Sequence, residues 1–273
     1  MKYLYIAGLE HSGTTLLSHL FGQHENFLAL GEIAALFSSS HMDQYFKQWG
    51  EYDDATLCSC QRDWRQCEFW GNLEHLYGHN SNDSLVQKYR ALFDYCSDRY
   101  SSSTVIVDSS KSLATLQKLI SNSSLLGIDK NNVSVLLAVK DVRNFATSIS
   151  HKTKRNSLLH NYRSFNWWLG ENQKMMNYLL KADLKYDISL YDEFCISPNA
   201  SLNRHFQRLA YQQVEKVNVN HSESHIAMGN KNFLVRNRTN IKCDDRWKAN
   251  LNVKLTYALH SKARALNKSF YAN

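Results

Sequence analysis

The chain has 273 residues, 43% of them hydrophobic and 12% aromatic, with a single proline, Pro198; this fits one domain with a sizeable core and excludes long disordered linkers. No apolar run reaches the roughly 18 residues of a membrane span, and Met1-Lys2, Tyr3–Ala7, Gly8, Glu10 and His11 lack the form of a cleavable export signal, so a cytoplasmic protein with no membrane partner is expected. The formal net charge of +7 is uneven: residues 231–273 carry ten Lys and Arg against Asp244 and Asp245 (+8), and the remaining 22 basic and 23 acidic residues leave −1. That basic tail points to an anionic partner, either nucleic acid or a phosphate-rich ligand, or is simply a solvated face.

Apolar runs alternate with helical patterns, which predicts an α/β fold of three layers, a central parallel sheet flanked by helices. Tyr3–Ala7 reads as a buried first strand, and Thr14–Phe21 as a helix with Leu16, Leu17 and Leu20 on one face. Phe27–Leu30 is a short second strand, followed by a helix from about Glu32. Residues 38–85 have no clear period and carry Trp49, Trp64 and Trp70 with three cysteines; they read as an inserted lid or substrate-binding region within a single domain, 1–273. Val86–Cys96 is helical, Thr104–Val107 is a β-branched strand ending at Asp108, and Leu113–Ile120 is the next helix. Val133–Val139 is apolar at every position but Ser134, as central parallel strands nearly are. It runs into Lys140-Asp141-Val142-Arg143 and another helix. A long helix is expected over His160–Leu180, a last strand over Tyr186–Tyr191, a further helix over Asn203–Tyr211 and a polar loop over Asn218–Ser224.

Six cysteines occur, and without an export signal they should be reduced. Cys58, Cys60 and Cys67 cluster. Three thiols are too few for a structural zinc unless His75, His79 or a distant thiol completes the set. A Cys60–Cys67 disulfide and plain packing of a cysteine-rich loop are the other readings, packing being the default, and no metal is assigned.

Gly8-Leu9-Glu10-His11-Ser12-Gly13-Thr14-Thr15 joins the first strand to the first helix. The open N–H groups and dipole of a helix start attract an anion there. Gly8 and Gly13 have the spacing of a phosphate loop, yet Thr14 stands where a nucleotide triphosphatase has lysine. Without that lysine the loop lacks a partner for β- and γ-phosphates, while its amides and hydroxyls can still hold one 5′-phosphate. The bland alternative is a tight glycine turn with a Ser/Thr cap.

His11-Ser12-Gly13-Thr14-Thr15-Leu16 resembles the 5′-phosphosulfate loop of the sulfotransferases that use 3′-phosphoadenosine-5′-phosphosulfate (PAPS), with His11 in place of the commoner arginine or lysine. Lys140-Asp141-Val142-Arg143, with Ser148 eight residues after Lys140, resembles the family's 3′-phosphate motif. There lysine keeps the charge but not the two-pronged grip of arginine, a loss for which Arg143 can compensate. His225–Asn230, Arg236, Arg238 and Asp245-Arg246-Trp247 resemble the closing segment of bacterial members, which accounts for the basic tail without nucleic acid. Tyr191-Asp192-Glu193-Phe194 and the stretch Cys58–Trp70 are softer matches.

The resemblance implies a P-loop-like fold, PAPS as co-substrate and PAP as product, no metal, and a small-molecule acceptor such as a natural product or carbohydrate, sulfated on a hydroxyl or an amine. His11, Ser12, Gly13, Thr14, Thr15, Lys140, Arg143, Ser148, Arg236 and Arg238 would hold the nucleotide. Glu32, after the second strand, would be the general base. Lys111, after the third, would stabilise the bridging oxygen as the S–O bond breaks; His11 would also bear on the chemistry, with His151 and His160 as reserve bases. For each there is a plainer reading: a helix-start acid for Glu32, a surface lysine for Lys111, a salt-bridge network around Lys140. Two rival functions stay open: a kinase transferring phosphate from ATP, with Asp108 as a magnesium ligand, and a non-catalytic nucleic-acid-binding module.

Overall fold

The computed structural model describes residues 1–38, 58–60, 62–63, 66–77, 83–211, 224–227, 229 and 243–272. Five strands form a parallel sheet in the order β2-β3-β1-β4-β5: β1 (Lys2–Gly8), β2 (Phe27–Gly31), β3 (Val105–Lys111), β4 (Val133–Val139) and β5 (Lys185–Leu190). Helices flank it, so the α/β architecture expected from the alternation of apolar runs is the one observed. The chain divides into two compact units, Met1–Ala7, Thr15–Leu136 and Val214–Thr239 in the first and Gly8–Thr14, Leu137–Gln213 and Asn240–Asn273 in the second.

In the first unit β3 lies between β1 and β2, paired parallel to both. The strand continues past its β-branched run, through Asp108 to Lys111, because Gly31 pairs with Asp108 and Ala7 with Lys111. Tertiary pairing prolongs it where local propensity would stop. Helices α1 (Thr14–Phe21), α2 (Ile33–Ser38), α3 (Glu68–Tyr77), α4 (Leu85–Arg99) and α5 (Leu113–Ser121) belong here, apart from Thr14. A capping box starts α4: Ser84 Oγ accepts from the Gln87 amide while the Gln87 side chain accepts from the Ser84 amide. The core is aromatic. Tyr3 meets Phe93 edge to face, and Phe69 packs on both Trp70 and Tyr95. A fully buried side chain of this size contributes roughly 1.5–3 kcal/mol.

The second unit holds the end of β4, all of β5, and helices α6 (Val142–Thr153), α7 (Leu158–Lys181), α8 (Tyr191–Ile196), α9 (Pro198–Arg208), α10 (Leu251–Leu259) and α11 (Ser261–Phe270). Along α7 the buried residues Asn161, Ser164, Phe165, Trp168, Leu169, Asn172, Met175 and Leu179 recur at three- and four-residue steps, a single inward stripe. The helix expected over 203–211 instead starts at Pro198 and stops at Arg208. Proline suits a first helical position, since its missing N–H has no partner there in any case. No helix among the described residues is long and apolar enough to cross a membrane.

Candidate active site

In the second unit the chain leaves β1 at Gly8 (φ +148°), where a Cβ would lie 2.6 Å from the Ala138 carbonyl oxygen of β4. Only glycine lets the loop start flush against β4. In the sheet, β1 has β3 on one side and β4 on the other, the reversal of strand order beside which open α/β sheets in general bind ligands. His11 takes a left-handed conformation (φ 65°), and the Ser12 amide bonds back to the Leu9 carbonyl at 3.3 Å. Gly13 follows at φ +84°, and a Cβ there would strike the Tyr191 ring at 2.5 Å. Ser12 and Thr14 are buried, whereas His11 is exposed. Thr14 opens α1, whose first-turn N–H groups have no intrahelical acceptor.

Lys140 follows β4 and is only 4% exposed. Its Nζ donates to Ser148 Oγ at 3.1 Å and to Asp244 Oδ2 at 3.3 Å, and lies 4.6 Å from the centre of the Tyr191 ring. One aromatic side chain, the first residue of α8, therefore packs on Gly13 of the loop and beneath the Lys140 ammonium. Asp244 is gripped on both oxygens by Arg246, each at 2.8 Å. Burial pulls Lys140 below the ordinary lysine range, against the opposing pull of Asp244. Burial alone would raise Asp244, but the Arg246 hydrogen bonds and the Lys140 charge outweigh it and hold the carboxyl well below the usual range. A carboxylate thus sits on the buried ammonium and hydroxyl in the manner of a small anion.

The turn after Lys140 is braced from three directions. Asp141 caps α6 through the Arg143 amide at 2.8 Å, Asn267 of α11 accepts from the Val142 amide at 2.8 Å and donates to Asp141, and Trp168 donates to the Lys140 carbonyl at 2.9 Å. Asp192 accepts from Asn144 at 2.7 Å and from the Tyr271 hydroxyl at 2.6 Å. Arg143 forks onto Asp141 at 2.9 and 2.6 Å, with Trp247 and Tyr257 against its guanidinium at 4.0 and 4.7 Å. The guanidinium is engaged within the protein.

In the first unit two residues singled out for the chemistry meet. Lys111 Nζ donates to Glu32 Oε1 at 2.5 Å, and both side chains are largely buried. Adjacent parallel strands bring them together: Glu32 follows Gly31 (φ +81°) at the end of β2, and Lys111 (φ 66°) ends β3. Glu32 also starts the next helix, its carbonyl accepting from the Ala35 and Leu36 amides at 3.1 and 3.2 Å. Asp108 on β3 is fully buried. Its Oδ2 accepts from the Tyr3 and Tyr89 hydroxyls at 2.5 and 2.7 Å, and its Oδ1 from the Ser110 amide at 2.8 Å and from the Ser110 hydroxyl. Both oxygens are committed to structural donors, which is no arrangement for a magnesium ligand. Burial raises its carboxyl above the usual range. Thr15 packs against Gly229, where a Cβ would lie 2.8 Å from the threonine methyl.

Of the reserve bases, His151 is exposed in the last turn of α6, and His160 Nε2 pairs with the Thr153 hydroxyl at 3.1 Å. Trp70 and Trp168 are core residues, while Trp167 is 41% exposed. Arg236 and Arg238 lie outside the described residues, as do Met228, Asn230, Trp49, Trp64, His79 and all but Ser224 of the loop expected over 218–224. Sequence reasoning missed Tyr191, Asp244, Asn267 and Tyr271 as parts of the Lys140 site. The only signal for any of them was the soft match at Tyr191, since the others reach it from the C-terminal segment, where no motif marks them.

No protein-family model matches the sequence, and no curated protein matches it. Solved structures do resemble it. The sulfotransferase domain from the Synechococcus PCC 7002 olefin synthase superposes with a TM-score of 0.56 at 15% identity, over 95% of this chain and 94% of that one. The sulfotransferase domain from the curacin biosynthetic pathway gives 0.60 at 14% identity, over 95% of this chain and 97% of that one. The likeness runs the length of the chain and is one of fold.

Proposed function

We propose that this chain, with the fold of the sulfotransferases, transfers a sulfuryl group from PAPS to a hydroxyl or amine of a small-molecule acceptor. The observation that carries the reading is the buried Lys140–Ser148 pair with a carboxylate seated on it, beside a tyrosine ring that also packs on Gly13. A buried ammonium and hydroxyl matched to an acceptor-only group suit a phosphate. Two positive-φ glycines at the loop suit a second anion approached by backbone amides. The donor set therefore fits a nucleotide with an anionic group at each end.

In this reading the amides and hydroxyls of Ser12, Gly13, Thr14 and Thr15 bind the 5′-phosphosulfate, with His11 beside them, and Lys140 with Ser148 binds the 3′-phosphate, for which Asp244 gives way. Arg143 holds the turn through Asp141 rather than binding phosphate itself. Bound PAPS supplies an activated sulfuryl group with a bisphosphate leaving group. Glu32 takes the proton from the acceptor as it attacks; its Oε1 is held by Lys111, which leaves Oε2 for that proton. Lys111 also presents a cation to charge developing on the leaving oxygen. The replacement of the loop lysine by Thr14 and the saturated Asp108 argue against ATP-dependent phosphate transfer.

The test is mass spectrometry of acceptor panels incubated with PAPS, phenols, sugars and amines among them. A sulfo adduct that forms with PAPS and not with ATP supports the proposal. Calorimetry showing no preference for adenosine 3′,5′-bisphosphate over AMP would overturn it.

A further inference from the structure

Three thiols within ten residues left the fourth position of a metal set open in the sequence, and the chain fills it from far away. In the first unit Cys58, Cys60 and Cys67 converge on His225, with the four candidate ligand atoms all within 4.8 Å of one another. Cys58 Sγ and Cys67 Sγ are 3.7 Å apart, and His225 Nδ1 is 3.2 Å from Cys67 Sγ and 4.0 Å from Cys58 Sγ. A tetrahedral zinc with Zn–S of about 2.3 Å and Zn–N of about 2.05 Å has S···S edges of about 3.8 Å and S···N edges of about 3.6 Å. The two S···N spacings lie on either side of that edge, and the Cys58–Cys67 spacing is close to the S···S edge. They are also far from the roughly 2.05 Å of a disulfide, and all three cysteines are free thiols.

The surroundings hold the ligands in place. His225 is fixed through its own backbone: its carbonyl accepts from Trp70 Nε1 at 2.6 Å and its amide donates to the Ala29 carbonyl at 3.0 Å. Phe69 stacks on the imidazole, 14° from parallel, which leaves Nδ1 turned toward the sulfurs. Ser59 ties the two segments together a second time, through its amide to the Ile226 carbonyl and its hydroxyl to the Ser224 carbonyl. Ordinary core packing asks for none of this convergence.

We propose that Cys58, Cys60, Cys67 and His225 form a structural zinc site of the Cys3His type. Four protein ligands close the coordination sphere, so the metal has no open position for substrate and its role is to clasp the loop before α3 to the segment 224–227. That segment leads to Gly229 against Thr15, so the clasp anchors the chain that backs the first turn of α1. Binding requires three thiolates and a neutral imidazole, and zinc uptake therefore releases thiol protons.

The test uses the full chain, expressed with added zinc, kept reduced and purified without metal affinity. Elemental analysis is expected to find about one zinc per chain. Replacement by Co2+ is expected to give thiolate-to-cobalt charge-transfer absorption with tetrahedral d–d bands. His225→Ala and Cys67→Ser should each bring zinc below about a tenth of an equivalent. His225→Cys restores four ligands; it should keep the metal and shift the cobalt bands, which separates ligation from misfolding of the loss variants. A folded wild-type chain that holds no zinc and gives no cobalt charge-transfer band overturns the proposal. So does His225→Ala with a full equivalent and an unchanged cobalt spectrum. Neither readout depends on sulfuryl transfer.

Discussion

Replacing Lys140 by methionine removes one buried ammonium while keeping the length and most of the volume of the side chain that lies against Tyr191. The partners left behind are not stranded. Asp244 keeps both bonds to Arg246, and Ser148 Oγ keeps its bond to the Asn144 carbonyl at 3.0 Å. Removing one partner of a buried ion pair costs about 3–5 kcal/mol when the other is left uncompensated; Arg246 still compensates Asp244, so the loss of stability should stay below that, at about 1–3 kcal/mol. Binding should change selectively. A hydrogen bond to a charged group contributes about 1.5–3 kcal/mol, and at 1.4 kcal/mol per decade that is a loss of roughly 10- to 150-fold in affinity for adenosine 3′,5′-bisphosphate. AMP, which has no 3′-phosphate, should change by less than about 0.5 kcal/mol. Isothermal titration calorimetry with both nucleotides on wild type and Lys140→Met, with urea unfolding as the control, reads every quantity. Equal losses for the two ligands, or unchanged bisphosphate affinity in a folded variant, would refute the assignment of Lys140 to the 3′-phosphate.

Glu32→Gln should lower turnover by roughly two to four orders of magnitude, the scale of a general base, with bisphosphate affinity unchanged; equal turnover would remove Glu32 from the mechanism. Gly13→Ala places a methyl 2.5 Å from the Tyr191 ring at a φ of +84°, so nucleotide affinity should fall sharply in calorimetry and the melting temperature with it; an unperturbed alanine variant would mean that the ring does not bear on the loop. Asp244→Asn should have effects of opposite sign. It weakens the fold by about 1–3 kcal/mol, yet raises bisphosphate affinity because no carboxylate competes for Lys140; a parallel fall in both would count against the shared seat. The same variant tests acid stability. Asp244 titrates below its unfolded value of 3.8, so its contribution is complete above that pH and is lost as pH falls through the lower folded value. Urea midpoints should therefore decline less steeply for Asp244→Asn than for wild type below about pH 4. Asp141 and Asp187, also lowered, keep their own share of the acid loss.

Local sequence was enough for the five strands, most of the helices between them and the loop after β1, but not for the helices at Glu68–Tyr77, Leu251–Leu259 and Ser261–Phe270. Apolar runs such as Val133–Val139 fix buried parallel strands whatever surrounds them, and Gly8 and Gly13 announce a turn that side chains with a Cβ could not make. Glu32, Lys111 and Lys140 could be singled out in sequence because each lies at or just after the carboxyl end of a strand, the edge where parallel sheets present polar groups. What local pattern could not supply was partnership across the chain. Asp244 on Lys140, Asn267 under the α6 cap and His225 among the cysteines stand 104, 126 and 158 residues from groups they serve. No periodicity encodes such pairings, because a hydrogen bond or a ligand set depends on where side-chain atoms end in space. Arg143 shows the same limit: its sequence context suggests a phosphate ligand, and its contacts with Asp141, Trp247 and Tyr257 are written nowhere in that context. The chain's own order dictated which groups stand at the strand ends, and only folding selected the neighbour that each one meets.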